Sequence, residues 1–256
     1  MQEYLAKTLQ GLEGVLADEL RALGAKDIQV QRRAVSFKGD KKCLYKANFW
    51  LRTALRILKP VATFQVKSPD DVYTAIKKLK LEEFITADKT FSIDTTVYSE
   101  TINHSRYVTY KAKDAIVDYF SEKYGKRPSV SVANPDIYFN LHISHTTCTL
   151  SLDSSGAPLF KRGYRVAQTE APINEVLAAG LLMLSGWKGQ CDFIEPMCGS
   201  GTIAIEAAMI ALNMAPGLFR KEFAFERWAD FDREMFDEIY NDDSQEREFK
   251  HKIYAS

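Results

Sequence analysis

The residues with the richest chemistry in this 256-residue sequence stand in one run, Asp192-Phe193-Ile194-Glu195-Pro196-Met197-Cys198-Gly199-Ser200-Gly201-Thr202. A short apolar strand enters a glycine turn, and the turn enters the helical stretch Ile203–Ile210. The start of a helix presents unpaired N–H groups and the positive end of its dipole. Glycine lets the backbone come close to an anion placed there. The pattern therefore suits a nucleotide-like ligand. It is not a Walker A loop, because no Lys follows Gly201. Gly199-x-Gly201-x-x-Ala204 meets the loose dinucleotide pattern, which leaves a nicotinamide-dependent oxidoreductase as an alternative. A bare tight turn in an α/β fold would carry the same glycines.

Other chemical constellations are weaker. His142, His145 and Cys148 fall in an expected hairpin, where odd offsets point to opposite faces. No second ligand pair follows at zinc spacing, so no metal is expected. Ser200 has no nearby His and acid for a triad. Cys43, Cys148, Cys191 and Cys198 show no disulfide framework spacing, which suits a reducing cytoplasm. No apolar run approaches the ~18 residues of a membrane span, and the first residues lack a signal-peptide core.

The net charge of zero conceals a division. Residues 1–165 carry 26 Lys+Arg against 18 Asp+Glu, or +8; residues 166–256 carry 8 against 16, or −8. Such asymmetry implies a nucleic-acid-binding part joined to a different module.

The elements follow from periodicity. Tyr4–Leu9 reads as a strand, and Leu12, Val15, Leu16, Leu20 and Leu23 lie at helical spacing before the stop at Gly24. Ile28–Gln31 and Ala34–Phe37 form a hairpin. Asp40 caps a helix bearing Leu44 through Ala54, and Ile57–Val66 is extended. This β-α-β-β-α-β order matches the split βαβ, ferredoxin-like arrangement. A second unit opens with a helix at Pro69 or Asp70. A strand at Thr90–Tyr98, a long helix from Ser105 to Gly125, and strands at Asp136–His142 and Thr147–Leu152 complete it.

Three phrases in order now carry a resemblance: Leu159-Phe160-Lys161-Arg162-Gly163-Tyr164-Arg165, Ala171-Pro172-Ile173-Asn174-Glu175-Val176-Leu177-Ala178-Ala179, and Glu195 through Thr202. Together they resemble the THUMP-containing RNA guanine-N2 methyltransferases, the group that includes the 23S rRNA enzymes. Departures from the family pattern are Ile173 for Leu and Glu195 for Asp. Lys111-Ala-Lys-Asp-Ala-Ile-Val-Asp resembles a THUMP domain, a small RNA-binding fold. The resemblance implies α+β ferredoxin-like and THUMP domains followed by the first part of an α/β Rossmann-like methyltransferase domain. Its divisions fall at 1–66, 67–154, a linker at 155–170, and 171–256.

What the resemblance implies chemically is S-adenosylmethionine (SAM) as methyl donor and a guanine exocyclic amine as acceptor, in rRNA or alternatively tRNA. The SAM methionine end would meet Glu195, Pro196, Met197, Cys198, Gly199, Ser200, Gly201 and Thr202. Pro172, in the first turn of its helix, and Asn174 would flank it, and Glu195 would accept from its amino group. Arg106, Lys111 and Lys113 are expected to contact RNA, and Asn103, His104, Lys126 and Arg127 surround the same helix. Lys161, Arg162 and Arg165, in the linker, would touch RNA or fix domain orientation.

The family's Asn/Asp-Pro-Pro-Tyr motif, which binds the acceptor amine, does not occur in 139–256, so no catalytic residue is assigned. Asn134-Pro135-Asp136-Ile137-Tyr138 imitates it but lacks the second Pro and precedes the glycine turn. Lys252–Ser256 reads as the second strand of the methyltransferase sheet. A truncated chain is therefore expected, and an RNA-binding module without catalysis is the alternative. Between Thr202 and Ile253 lie about 50 residues, more than the ~30 of a whole βαβ unit. Within them Glu222–Glu248 holds 11 acids and 3 bases. Phe223, Phe225, Trp228, Phe231 and Phe236 are expected to anchor part of this insertion as helix, with its acidic face away from RNA.

Overall fold

The computed structural model describes residues 1–102, 104–166 and 171–256. Two compact units emerge. The first combines Met1–Ile57, Ala157–Phe223 and Asp232–Ser256; the second combines Leu58–Gly156 with Ala224–Phe231.

In the first unit, β1 (Gln2–Lys7), α1 (Glu13–Ala22), β2 (Lys26–Gln31), β3 (Ala34–Gly39) and α2 (Lys41–Trp50) follow the expected order. The strands lie β2-β3-β1, both neighbours of β3 antiparallel to it. At the start of β4 (Arg56–Gln65), Leu55 N–H donates to Lys7 O at 2.7 Å. Asp40 caps α2 by accepting from Cys43 N–H at 2.8 Å. One face of each helix covers the sheet, burying Leu16 and Leu20 from α1 and Leu44, Tyr45 and Phe49 from α2.

The same unit contains α5 (Glu175–Ser185), β9 (Phe193–Glu195), α6 (Thr202–Ala211), α7 (Arg233–Tyr240) and β10 (Ile253–Ala255). β10 pairs parallel with β9, in register Ile253 to Phe193. A β-α-β unit of Rossmann-like type results, with Leu182, Trp187, Ala207, Ile210 and Ala211 as its core. In the segment 155–170, Leu159 is buried and its N–H donates to Leu55 O at 2.9 Å.

The second unit orders its strands β4-β8-β7-β5-β6, from β5 (Thr90–Tyr98), β6 (Ser129–Val130), β7 (Ile137–Ser144) and β8 (Thr147–Asp153). β7 runs parallel to β5 and antiparallel to β8. Two helices accompany this sheet, α3 (Pro69–Lys77) and α4 (Ser105–Tyr124). Ser68 and Asp71 close a capping box at the start of α3, and Gly125, at φ 64°, ends α4.

The acidic insertion is helical in part, at α7. Phe223, Phe225, Trp228 and Phe236 are buried, but only Phe236 lies on an α-helix, α7. Ala224–Arg227 is a single 3₁₀ turn. Among the described residues no helix is long and apolar enough to cross a membrane.

Candidate cofactor site

β9 delivers Glu195 to the start of α6. The strand is held by Trp187, whose ring centroid lies 5.0 Å from that of Phe193. Glu195, 8% exposed, turns back and accepts from Ala204 N–H through Oε2 at 2.9 Å. It thereby caps α6 with a carboxylate at the positive end of the dipole. Its Oε1 has no partner among the described residues.

Between them the chain must reverse within a few residues. Gly199 and Gly201 both take left-handed backbone, at φ 53° and 72°. The turn consumes two N–H groups: Cys198 N–H donates to Ser256 O at 3.0 Å, and Gly201 N–H to Cys198 O at 2.7 Å. The N–H groups of Gly199, Ser200, Thr202 and Ile203 keep no partner among the described residues. A Cβ on Gly199 would meet nothing within 4 Å, and one on Gly201 only Ile205 Cδ1 at 4.0 Å. Open space above unpaired donors fits a small carboxylate, and Glu195 Oε1 fits an ammonium; a methionine-like group carries both. Pro196 and Met197 stand exposed beside this turn.

Arg165 ties the turn to α5. Its Nε and Nη2 donate to Glu175 Oε1 at 3.1 and 2.6 Å, Nη1 to Ser200 Oγ at 3.0 Å, and Nη2 to Thr202 Oγ1 at 3.1 Å. Asn174 caps α5, its Oδ1 accepting from Val176 and Leu177 N–H. Pro172 stands two residues before that cap, so its expected place in the first turn is corrected. Segments 160–165 and 172–175 enclose a cavity of about 500 Å³.

Arg162 is also corrected. It is 2% exposed and donates to Glu206 Oε1 at 3.2 Å, Leu159 O at 2.9 Å and Arg52 O at 2.6 Å. Buried and fully engaged, it is withdrawn from RNA. Tyr164 Oη donates to the same Glu206 oxygen at 3.0 Å. Burial first, and then the Glu206 charge, raises the Tyr164 phenol above its ordinary value. Gly163, at φ 97°, runs so close to Phe219 that a Cβ would stand 2.1 Å from its carbonyl oxygen. This contact requires glycine within Lys-Arg-Gly-Tyr-Arg. Lys161 remains exposed.

Sequence reasoning missed Glu206. The available signal was a single charge in the otherwise uncharged α6 sequence.

In the second unit, Arg106 lies exposed at the start of α4, its Nε bonded to Tyr110 Oη at 3.1 Å. Lys111 pairs with Asp70 at 2.6 Å and Lys113 with Asp114 at 2.8 Å. Asn103 lies outside the described residues. His145 occupies the β7–β8 turn at φ 54°. Among the described residues no three His, Cys, Asp or Glu side chains gather as a metal site.

Comparisons with known proteins agree with this layout. Residues 3–58 match the RlmL ferredoxin-like domain, 66–153 the THUMP domain, and 162–256 the family described as RMKL-like, methyltransferase domain. A Synechocystis protein assigned as an RNA methyltransferase is 40% identical over 233 residues, covering 91% of this chain and 61% of the relative. A ribosomal RNA large subunit methyltransferase K/L from Syntrophotalea carbinolica is 41% identical over 251 residues, covering 96% and 35%. The crystal structure of a protein assigned as a methyltransferase, complexed with SAH, superposes with a TM-score of 0.82 at 32% identity, covering 95% of this chain and 64% of that one. The chain thus spans between 35% and 61% of the length of these two curated relatives.

Proposed function

Because the chain belongs to the THUMP-containing methyltransferase family, with ferredoxin-like, THUMP and RMKL-like methyltransferase domains, we propose that it serves a SAM-dependent RNA methyltransferase acting on guanine N2 of large-subunit rRNA. One observation carries the cofactor reading. Four unpartnered N–H groups and the Glu195 carboxylate converge on a glycine turn that Arg165 holds in place. Bound SAM would supply a methyl group already activated on its sulfonium.

This chain's residues do the holding. The N–H groups of Gly199, Ser200, Thr202 and Ile203 would bind the methionine carboxylate. Glu195 Oε1 would accept from its ammonium group, and Arg165 would keep Ser200 and Thr202 from drifting. Fixing the donor in one orientation lowers the entropic part of the barrier. RNA is proposed to be gathered by the basic residues 1–165, with Arg106 and Lys161 as exposed contacts. The K/L relative's name supports rRNA over tRNA. A reducing cytoplasm belongs to the same reading, and four free cysteines support it.

Two measurements test this. Thermal melting with SAM and with NAD separates the cofactor classes, since only a ligand of the folded state raises Tm. SAM alone is expected to raise it; a rise with NAD alone would return the oxidoreductase reading. Incubating labelled SAM and rRNA with a full-length protein that contains this chain, then digesting to nucleosides, should yield N2-methylguanosine. Label on adenosine would refute the guanine assignment.

A further inference from the structure

α4 buries Val108, Ala112, Ala115, Ile116 and Phe120 on one face, each at 2% exposure or less. The opposite face of such a helix is ordinarily charged. Here Tyr107 and Tyr110, three residues apart and so neighbours on the helix surface, stand 50% and 47% exposed. Cations surround both rings. Lys111 Nζ lies 5.6 Å from the Tyr107 centroid; Arg106 Cζ and Lys113 Nζ each lie 5.9 Å from that of Tyr110.

Two of those cations are poor phosphate ligands as they stand. Asp70 neutralises Lys111 and Asp114 neutralises Lys113. Arg106 already spends its Nε on Tyr110 Oη. What the face offers solvent is two half-exposed aromatic rings with cations beside them, in the half of the chain that carries +8. Aromatic rings over a basic background hold unstacked bases, with little regard to sequence. Duplex RNA keeps its bases inside and offers such rings nothing to stack on.

We propose that Tyr107 and Tyr110 form a stacking platform for single-stranded RNA on α4. This rests on the RNA reading above and adds that stacking, more than phosphate pairing, supplies the affinity of this face. The full chain is titrated by fluorescence anisotropy with a labelled single-stranded RNA of about twelve nucleotides and with a duplex of the same length. Replacing both tyrosines, Tyr107→Ala with Tyr110→Ala, should weaken single-strand binding by about tenfold or more. Duplex binding and the salt slope should not change. Tyr107→Phe with Tyr110→Phe keeps the rings and should restore single-strand affinity. Unchanged single-strand binding by the double alanine variant would overturn the platform alone. An equal loss for duplex would also overturn it, making the face an electrostatic contact. If the unsubstituted chain bound neither RNA, the RNA reading itself would fall, and the platform with it.

Discussion

Arg165 Nη2 stands 3.1 Å from Thr202 Oγ1, while the same guanidinium holds Glu175 and Ser200. One side chain therefore joins the Lys-Arg-Gly-Tyr-Arg segment, the start of α5 and the glycine turn before α6. A ligand site on a turn is only as well defined as the groups that immobilise the turn. The sequence left Arg165 between an RNA contact and a residue that fixes domain orientation; its geometry makes it a positioning residue for the turn.

Arg165→Lys tests that role. Lysine keeps the charge but lacks the planar fork, and one ammonium cannot reach all three partners in the same geometry. SAM affinity should fall by about tenfold, ~1.4 kcal/mol, while RNA affinity stays level. Calorimetric SAM titration and RNA anisotropy on the same variant decide. Lost RNA binding with intact SAM binding would return Arg165 to the RNA surface.

The neighbouring pair behaves differently, because it is buried. Arg162 and Glu206 are 2% and 0% exposed. Removing one partner leaves an uncompensated charge inside the first unit, a cost of about 3–5 kcal/mol. Glu206→Leu and Arg162→Met should each destabilise by that order, and the double substitution by less than their sum. Urea unfolding of the four proteins measures the coupling. Additive losses would show that the two side chains do not act as a pair.

The fold was legible wherever a strong period coincided with a stop. α4 begins at Ser105 and ends against Gly125 as its apolar spacing requires, and β5 spans Thr90–Tyr98. β6, of two residues, is too short to carry any period. The glycine turn was legible because positive φ leaves glycine at particular positions. For Arg162 and Arg165 the sequence left open whether they touch RNA or fix domain orientation, because an arginine's type does not reveal whether its partner is phosphate or a distant carboxylate. Glu206 follows Arg162 by 44 residues, and no local pattern links them. Units built from distant segments are likewise invisible to a reading along the chain. Residues 157–223 pack with 1–57, although 99 residues, 58–156, separate the two.

Cysteine reactivity offers a check on burial and on the turn. Burial pushes the Cys148 thiol up to about 12; burial and the Asp40 charge push Cys43 up to about 11. Both thiols stay protonated at pH 8, and neither should react in the folded protein, since thiolate is the nucleophile. Exposed Cys191 should label first. Cys198, half-buried in the glycine turn, should label more slowly once SAM is added. Mass spectrometry of the labelled peptides reads all four sites. Indifference of Cys198 to SAM would separate the turn from the cofactor.

The most direct test of the turn is Gly201→Val. Gly201 sits at φ 72° and ψ 17° as the residue that caps α6. In that region any L side chain pays roughly 1–2 kcal/mol, and β-branching adds crowding. Space is not the obstacle on the protein side, since only Ile205 Cδ1 lies as near as 4.0 Å to an added Cβ. The new methyl groups would instead occupy the opening over the free N–H groups. Made in a full-length protein that contains this chain, the substitution should leave the protein folded, with a modest drop in Tm, while SAM binding and methyl transfer fall together. RNA binding, which is proposed to rest on residues 1–165, should persist. Paired SAM calorimetry and RNA gel shift on this one variant give the answer. Unchanged SAM affinity would make the turn purely structural and move the cofactor site elsewhere.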